Sequence, residues 1–233
     1  MDIKYTKEAF LEGQLLLINK PLKWTSFQVV NKIRWTIRKE FDIKKIKVGH
    51  AGTLDPLATG LMLICTGRMT KQIEQFMGMN KTYTGTFRLG ATTPSYDLET
   101  TVSASKPTDH INAKMLAGVC AGFLGNIQQK PPLHSAIKKD GKRLYTLARA
   151  GKTTDIPLRE VLITDFELTD MNMPNIGFSV SCSKGTYIRS LAHDFGQKLG
   201  CGAHLTSLKR TAIGNYQLSE ALTLDGFLNS LEK

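Results

Sequence analysis

The sequence predicts an α+β fold with a mixed, largely antiparallel central sheet flanked by helices and loops. Strand-like and helix-like segments are interleaved along the chain, yet short turns typical of hairpins separate many neighbouring strands. Hydrophobic residues make up 41% of the 233 residues, which is enough for a sizeable core. No internal repeat or long linker divides the chain. We therefore expect residues 1–233 to form a single domain.

Hydrophobic periodicity places the individual elements. A strand in GQLLLINKP ends at Pro21, and the helix TSFQVVNKIRWTIRKEF follows, capped by Thr25 or Ser26. The apolar face of this helix is predicted from its spacing to contain Phe27, Val30, Ile33, Ile37 and Phe41. Further strands are predicted in GLMLICTG, KTYTGTFRLG, VLITDFELTDM, IGFSVSCS and AHLTSLKRTAIGNYQL, the last with a basic edge. Further helices are predicted in RMTKQIEQFMG, INAKMLAGVCAGFLG and TYIRSLAHDFGQKLG.

The charge balance indicates a polyanionic partner. Lys and Arg total 31 against 20 Asp and Glu, a formal net charge of +11, so nucleic acid is the expected partner class. The longest apolar runs, such as LMLIC, are too short to cross a bilayer. The N-terminal MDIKYTKEAF lacks the apolar stretch of a secretory signal. We expect a cytoplasmic protein without membrane association.

The cysteines give no metal or redox motif. The four of them are widely separated and form no C-x-x-C pair, which argues against a zinc knuckle or a thioredoxin-type site. Cys201 and His204 offer one half of a metal site, but the sequence shows no second half. We predict neither a metal nor a cofactor.

One carboxylate stands alone in the glycine-rich stretch VGHAGTLDPLATG. Asp55 follows Gly49 and Gly52 and precedes Pro56, so the pattern indicates either an ordinary turn or a loop that presents one acid to a ligand. An aspartyl-phosphate enzyme would carry its Asp before a Thr-Gly-Thr element, and no acid pair for a metal follows here. A phosphate-binding loop is also disfavoured, because no G-K-[ST] follows the glycines.

Three other elements carry chemistry-bearing side chains. Lys184 and Arg189 flank a Gly-Thr turn that enters a helix, where an arginine pairs with a carboxylate or phosphate or simply lies on the surface. Tyr83 is a candidate for stacking on a base or for the core. Lys20 and Pro21 end a strand, at a site that is also compatible with a simple turn.

Six segments, in order from about residue 13 to residue 214, resemble one family. GHAGTLDPLATGLMLICTGRMTK is similar to the central motif of the TruB-type tRNA pseudouridine-55 synthases. The other blocks are LLLINKPLKWTSFQVV, KTYTGTFRLG, SYDLET, QQKPPLHSAIKKDGKRLYTLARAG and CSKGTYIRSLAHDFGQKLGCGAHLTSLKRTAIG. The resemblance implies the pseudouridine synthase fold.

The family resemblance also implies an activity. Its members isomerise uridine 55 in the T-loop of tRNA to pseudouridine, by cleaving C1′–N1, rotating the base and rejoining C1′ to C5, without a cofactor or metal. Asp55 matches the family's catalytic aspartate, and attack on C1′, addition to C6 and proton abstraction from C2′ all remain open as its role. The implied partner is the T-stem and T-loop arm of tRNA. We expect a monomer with no obligatory protein partner.

The resemblance assigns roles to other residues around Asp55. Tyr83 is expected to stack on the flipped uracil, and Arg189 to pair with Asp55 and keep it ionised. Leu208 is expected to form part of an apolar wall. His50 is expected to occupy the space that the extruded base leaves.

More peripheral roles follow from the same comparison. Lys20 and Pro21 match a motif beside the active site, and Asp97 matches a polar residue near the bound base. Lys184 is expected to bind the substrate. The basic excursion at about 127–152 corresponds to an RNA-gripping thumb. Its expected contacts with the RNA backbone are Lys138, Lys139, Lys142 and Arg143.

Two departures from the family pattern bear on function. His134 stands where an aromatic Tyr or Phe is usual, and imidazole can still stack. The chain ends about twenty residues after KRTAIG, so no full C-terminal RNA-binding (PUA) domain is expected, which favours a stand-alone bacterial enzyme. The alternative is a tRNA-folding chaperone that keeps the scaffold without chemistry, although binding alone requires no ionised carboxylate.

Overall fold

The computed structural model describes residues 5–135, 138–139, 142–144, 146 and 154–231. The chain divides into two compact units, Met1–Tyr83 with Leu208–Lys233, and Thr84–Ser207. Helices are interspersed among runs of consecutive strands, and most described strand pairs are antiparallel. These features confirm the α+β class with its mixed, largely antiparallel sheet. The interpretation of residues 1–233 as a single domain stays a prediction.

The helices and strands have the following bounds. The α-helices are α1 (Lys7–Glu12), α2 (Ser26–Glu40), α3 (Ile73–Gly78), α4 (Ala113–Ala121), α5 (Ile188–Lys198) and α6 (Leu224–Asn229). Short 3₁₀ helices cover Gly67–Gln72 and Leu218–Glu220. The strands are β1 (Leu15–Lys20), β2 (Val48–His50), β3 (Ala58–Thr66), β4 (Lys81–Leu89), β5 (Ala91–Thr92), β6 (Ala104–Ser105), β7 (Gly125–Gln129), β8 (Lys138–Lys139), β9 (Lys142–Arg143), β10 (Arg159–Asn172), β11 (Asn175–Cys182), β12 (Ala203–Ile213), β13 (Tyr216–Gln217) and β14 (Leu222–Thr223).

Strand β3 is the centre of the first unit. It pairs antiparallel with β1 and β2, and parallel with the last part of β12. The registers place Lys20 opposite Gly60 on one side and Arg210 opposite Gly60 on the other. Nearly every residue of β3 is buried, as its continuous apolar sequence predicts. The sheet register therefore places two cations on either side of one glycine.

Helix α2 begins as the sequence predicts, with a capping box between Thr25 and Gln28. Its buried face, however, differs from the predicted one. Val29, Val30, Ile33 and Ile37 are buried, whereas Phe27 is 67% exposed, so its assignment to the apolar face is wrong. Six residues of helix turn Phe27 about 120° away from Ile33, which places its ring beyond the edge of the buried stripe.

The second unit is built on a β10–β11 hairpin, with β7 along the other edge of β10. An aromatic cluster fills its core, and the closest ring centroids, those of Phe87 and Phe178, lie 4.1 Å apart. The rings of this cluster belong to Phe87, Phe123, Phe166, Phe178 and Phe195. Along β4, both Tyr83 and Phe87 are buried.

Much of the predicted thumb, at 127–152, lies outside the described residues. At its centre, the backbones of β8 and β9 pair antiparallel, with Lys138 opposite Arg143 and Lys139 opposite Lys142. Within the described part of the chain, no helix is both long enough and apolar enough to cross a membrane.

Candidate active site

Asp55 lies on a loop between β2 and β3 whose main chain is held from two sides. The Oγ of Ser26 accepts a hydrogen bond from the Leu54 amide at 2.8 Å and lies 3.1 Å from the Leu54 carbonyl, to which it donates. On the other side of Asp55, the carbonyl of Pro56 accepts from the Lys23 amide at 2.8 Å. Both neighbours of Asp55 are thus fixed to the start of α2 and the turn before it. The half-buried carboxylate is presented from a restrained backbone.

Lys20 is a fully buried cation beside this loop. Its Nζ donates to the carbonyls of Trp24 at 2.6 Å and Pro21 at 2.9 Å, and to that of Pro56 at 3.4 Å. Burial lowers the pKa of Lys20 to about 8, the negative charge of Asp55 opposes that change, and Arg210 adds to it. The charged ammonium therefore ties the two turns together and favours the ionised form of Asp55.

Arg210 is the largest fully buried side chain of the described residues, and it fixes the beginning of the same loop. Its Nε donates to the Leu61 carbonyl at 2.7 Å, and its Nη2 donates to the Gly52 carbonyl at 3.1 Å. Gly60 has a φ of +105°, and a Cβ at this position would overlap the Arg210 backbone. Glycine at position 60 therefore allows the close approach that brings the guanidinium to Gly52.

His50 and Leu208 lie on strands that flank the loop. Burial, with a further contribution from the Arg210 charge, lowers the pKa of His50 below its ordinary value, so the imidazole is neutral at pH 7. Leu208 is half-buried and pairs in register with Ala58, three residues after Asp55. The roles of His50 and Leu208 toward a base stay predictions.

Arg189 is the second residue of α5 and is buried in the other unit. Its Nη1 donates to the Ser95 carbonyl at 3.1 Å and its Nη2 to the His134 carbonyl at 2.8 Å. Its Nε lies 3.7 Å from the Asp97 Oδ2, and both side chains of this ion pair are almost entirely buried. Arg189 thus organises three separate chain segments. Its predicted pairing with Asp55, which belongs to the first unit, stays a prediction.

The chain that leads into the thumb is anchored to the same end of α5. Gln129 and Tyr187 exchange two hydrogen bonds, at 2.7 Å and 3.1 Å. The Ser190 hydroxyl donates to the Lys130 carbonyl at 2.7 Å. Together with the Arg189–His134 bond, these contacts fix residues 129–134 on a rigid helix end.

The remaining predicted residues are placed as follows. Pro21 is half-buried, and its carbonyl is one of the acceptors around Lys20. Tyr83 is 9% exposed in β4, within the first unit. Lys184 is exposed at the turn before α5. The side chains of Lys138, Lys139, Lys142 and Arg143 lie outside the described part of the structure.

Sequence reasoning missed the two residues that hold the loop most directly. Ser26 was considered only as a helix cap, although its hydroxyl binds Leu54. The strand AHLTSLKRTAIGNYQL is predicted only to have a basic edge; Lys209 is exposed there, but Arg210 is 1% exposed and therefore does not belong to that edge. The alternation of side chains along a strand indicates the burial of Arg210. Arg210 lies on the same face of β12 as Leu208 and Ala212, whereas the exposed Lys209 lies on the opposite face.

Among the described residues, no group of three or more His, Cys, Asp or Glu side chains is arranged to hold a metal ion. Cys201 and His204 are both buried, and the His204 Nδ1 lies 2.8 Å from the Ala91 carbonyl. This contact gives His204 a structural partner within the second unit.

Comparison with known sequences identifies the family. Residues 38–188 match the model of the TruB family pseudouridylate synthase N-terminal domain. The chain belongs to the TruB family. Residues 189–233 match the tRNA pseudouridylate synthase B C-terminal domain. The TruB-type resemblance and the classification as a pseudouridine synthase are thereby confirmed.

Individual relatives agree with this assignment. The chain is 56% identical over 228 residues to a tRNA pseudouridine synthase B of Flavobacterium johnsoniae, with 97% of this chain and 100% of the relative covered. It is 51% identical over 224 residues to the protein of the same name from Phocaeicola vulgatus, covering 96% of this chain and 95% of the relative.

A solved structure shares the fold. The crystal structure of a Cbf5–Nop10–Gar1 complex superposes with a TM-score of 0.73 at 26% sequence identity. The match covers 97% of this chain but only 56% of the neighbour, so this protein corresponds to about half of that chain. The predicted pseudouridine synthase fold is confirmed.

Proposed function

We propose that this protein isomerises the T-loop uridine of tRNA, at position 55, to pseudouridine, with Asp55 as the essential carboxylate. The observation that carries the proposal is the restrained loop of a TruB-family chain. Leu54 and Pro56, on either side of Asp55, are both hydrogen-bonded, and the Lys20 ammonium favours ionisation of the acid between them. A restrained, ionised carboxylate suits both nucleophilic attack and proton abstraction.

The reaction conserves the atoms of the base and the sugar. The C1′–N1 bond breaks, the detached uracil rotates, a C1′–C5 bond forms, the hydrogen on C5 leaves to solvent, and N1 gains a proton. Water is not a reactant, which fits a loop with a single acid and no second carboxylate to activate water. The proposed mechanism requires the target base to leave its stack, at a cost of about a few kcal/mol that contacts in the site must offset.

Other residues of the first unit have proposed supporting roles. Tyr83 stacks on the extruded uracil, Leu208 supplies an apolar wall, and the neutral His50 occupies the space that the base vacates. A neutral imidazole fits that last role, because it enters a stack of bases without the desolvation cost of a charged ring. We propose the T-stem and T-loop arm as the bound part of tRNA, a monomer as the acting species and the cytoplasm as its location.

Tritium release tests the proposal directly. The full-length protein is incubated in EDTA with unmodified tRNA transcripts that carry tritium at C5 of uridine. We expect one equivalent of tritium to be released per tRNA, from a single T-loop position. Absence of release, under conditions in which the same tRNA binds, would refute the proposed isomerisation and favour the chaperone alternative.

Asp55→Asn is the matched variant for this experiment. The amide is nearly isosteric and keeps the backbone bonds of Leu54 and Pro56, so tRNA binding should persist while tritium release is lost. Substantial turnover by this variant would show that the carboxylate is not essential. The exposed neighbour Thr53 provides the control, because Thr53→Ala removes a polar side chain from the same loop without touching the acid.

A further inference from the structure

Helix α2 exposes a face that combines large aromatic and basic side chains. Phe27 is 67% exposed and Trp35 is 57% exposed, although both are apolar and belong to a helix whose opposite side is well buried. Lys32, Arg38 and Lys39 are exposed among them. At 3.6 residues per turn, these five residues lie within an arc of about 140°. We call this surface the α2 face.

Trp35 positions the two lysines of the α2 face. The Lys32 Nζ lies 5.1 Å and the Lys39 Nζ 5.6 Å from the centroid of its ring, one from the preceding turn and one from the following turn. Lys39 also lies 3.4 Å from a Glu40 carboxylate oxygen. The ammonium groups are therefore held beside the ring instead of being extended into solvent. Such preorganisation reduces the entropy lost when they bind an anion.

Positive charge continues beyond the helix. Lys44, Lys45 and Lys47 are exposed in the segment that leads to β2. From residue 26 to residue 47 the chain contains seven Lys and Arg but only two acids, Glu40 and Asp42. A surface with this composition is complementary to a row of phosphates, and exposed aromatic rings between basic groups are typical of nucleic-acid-binding surfaces.

The position of α2 indicates which nucleic acid reaches this face. The helix begins at Ser26, whose hydroxyl holds Leu54 beside Asp55. With a rise of 1.5 Å per residue, Trp35 lies about 13 Å along the axis from Ser26. At about 100° per residue, Ser26 lies about 190° around the helix from the middle of the α2 face, whereas the exposed Phe27 begins that face in the same first turn. An RNA with a uridine at Asp55 therefore reaches the α2 face where its flanking backbone crosses the first turn of α2.

We propose that the α2 face binds the phosphate backbone of the tRNA segment that flanks the target uridine. Lys32 and Lys39 contact the phosphates, Arg38 adds charge, and Trp35 holds the two lysines in place. This proposal rests on the proposed function, because tRNA is the substrate that places a backbone there. It adds a binding surface that is separate from the residues around Asp55.

Salt-dependent binding tests the proposal. The dissociation constant of the full-length protein for unmodified tRNA is measured by filter binding over a series of KCl concentrations. For Lys32→Ala/Lys39→Ala we expect weaker binding, and a slope of log K against log salt that falls by about 0.7 to 0.9 for each lost phosphate contact. Trp35→Ala should weaken binding in the same direction, and Trp35→Phe should weaken it less, because phenylalanine keeps an aromatic ring.

The controls are exposed residues elsewhere on the chain. Lys71→Ala removes an exposed charge from the 3₁₀ helix Gly67–Gln72, and Met171→Ala removes an exposed apolar side chain from β10. Neither should change the salt slope. If Lys71→Ala matches a single α2-face variant, general charge explains the effect and the proposal fails. An unchanged affinity and slope in the Lys32/Lys39 variant also overturns it, and would leave the face for another kind of partner.

Tritium release at saturating tRNA separates this proposal from the proposed function. The variants of the α2 face should retain the wild-type single-turnover rate, because they weaken binding and leave Asp55 in place. If wild-type protein binds tRNA with the expected salt slope but releases no tritium, the isomerisation fails and the α2 face is upheld. If wild type releases tritium and the variants bind normally, the α2 face is refuted alone.

Discussion

The hydroxyl of Ser26 binds both main-chain polar groups of Leu54, the residue that precedes Asp55. One side chain at the start of α2 thus replaces the hydrogen-bond partners that the loop backbone would otherwise lack. Because both groups are buried, their loss would be costly in stability and would loosen the position of the acid.

Ser26→Ala should therefore lower the single-turnover rate roughly tenfold to a hundredfold, through displacement of Asp55. The free energy of unfolding should fall by about 1–3 kcal/mol for the unpaired groups. Urea unfolding and tritium release measure the two effects. Ser230→Ala is the matched control, because it removes a hydroxyl that donates to the Phe227 carbonyl at the end of α6. Wild-type turnover by Ser26→Ala would show that Leu54 needs no anchor.

Arg210→Lys should lower kcat more than it raises KM. A lysine keeps the charge, but its single nitrogen cannot occupy the positions of both Nε, which binds Leu61, and Nη2, which binds Gly52, so the first part of the loop loses one anchor. Steady-state kinetics on tRNA measure the split. Lys209→Ala, at the exposed neighbouring position, should leave both constants near wild type. A change in KM alone would place Arg210 outside the positioning of the loop.

Arg210→Met should raise the pKa of His50. The positive charge of Arg210 disfavours the imidazolium, so a neutral side chain of similar length removes that part of the shift, although burial still lowers the pKa. An NMR titration of the His50 ring protons measures it. In Arg210→Lys the positive charge is retained, so the pKa of His50 should remain close to its wild-type value. This variant controls for changes in packing that the substitution itself causes.

The single-turnover rate should fall as pH rises through about 8. Lys20 then loses its charge and one of the N–H donors that hold the Trp24, Pro21 and Pro56 carbonyls. Because its pKa lies below the ordinary 10.5, the unfolded chain binds the extra proton between pH 8 and 10.5. The contribution of this group to the free energy of unfolding therefore rises with pH across that window.

As the pH rises, the single-turnover rate should fall while the contribution of Lys20 to the free energy of unfolding rises. These opposite directions distinguish loss of the Lys20 charge from general unfolding. Stopped-time tritium assays and urea unfolding over the same pH series measure them. In Lys20→Arg the charge persists across the series, so the fall near pH 8 should vanish. A fall of the same size in that variant would assign the titration to another group.

Arg189→Lys should destabilise the second unit. Lysine keeps the charge beside Asp97, but its single nitrogen cannot occupy the positions of both Nη1 and Nη2, and leaving a buried carbonyl of Ser95 or His134 unpaired costs about 1–3 kcal/mol. A double-mutant cycle with Asp97→Asn measures the coupling in unfolding free energy. Arg88→Lys, at an exposed position of β4, is the control. Additive effects of Arg189→Lys and Asp97→Asn would mean that Asp97 does not depend on the guanidinium of Arg189.

Local patterns were sufficient for much of the fold. The start of α2 follows from Thr25 or Ser26 as the predicted cap, and the burial of β3 follows from its continuous apolar run. The position of Phe27 is predicted wrongly because residues three apart are about 60° short of a full helical turn. The first residue of such a pattern can therefore lie outside the buried face. Periodicity specifies the centre of a stripe better than its ends.

The candidate site was only partly accessible from sequence. Asp55 was singled out by its motif, but the side chains that hold its loop bind main-chain atoms, and such contacts leave no complementary residue in the sequence. Among the described residues, Ser26 and Arg210 bind main-chain atoms of Leu54, Leu61 and Gly52, which a search for paired side chains does not find. Buried cations whose partners are carbonyls are therefore difficult to predict without coordinates.

The anchors of the Asp55 loop have a consequence for mutational tolerance. Lys20, Ser26, Lys23 and Arg210 all reach backbone atoms, namely those of Pro56, Leu54 and Gly52. The anchored positions therefore depend little on which side chains the loop itself carries. In a saturation library, the exposed Thr53 should accept many residues, whereas variation should be depleted at positions 20, 26 and 210. Arg210 lies 158 residues along the chain from Gly52, the loop residue that it binds.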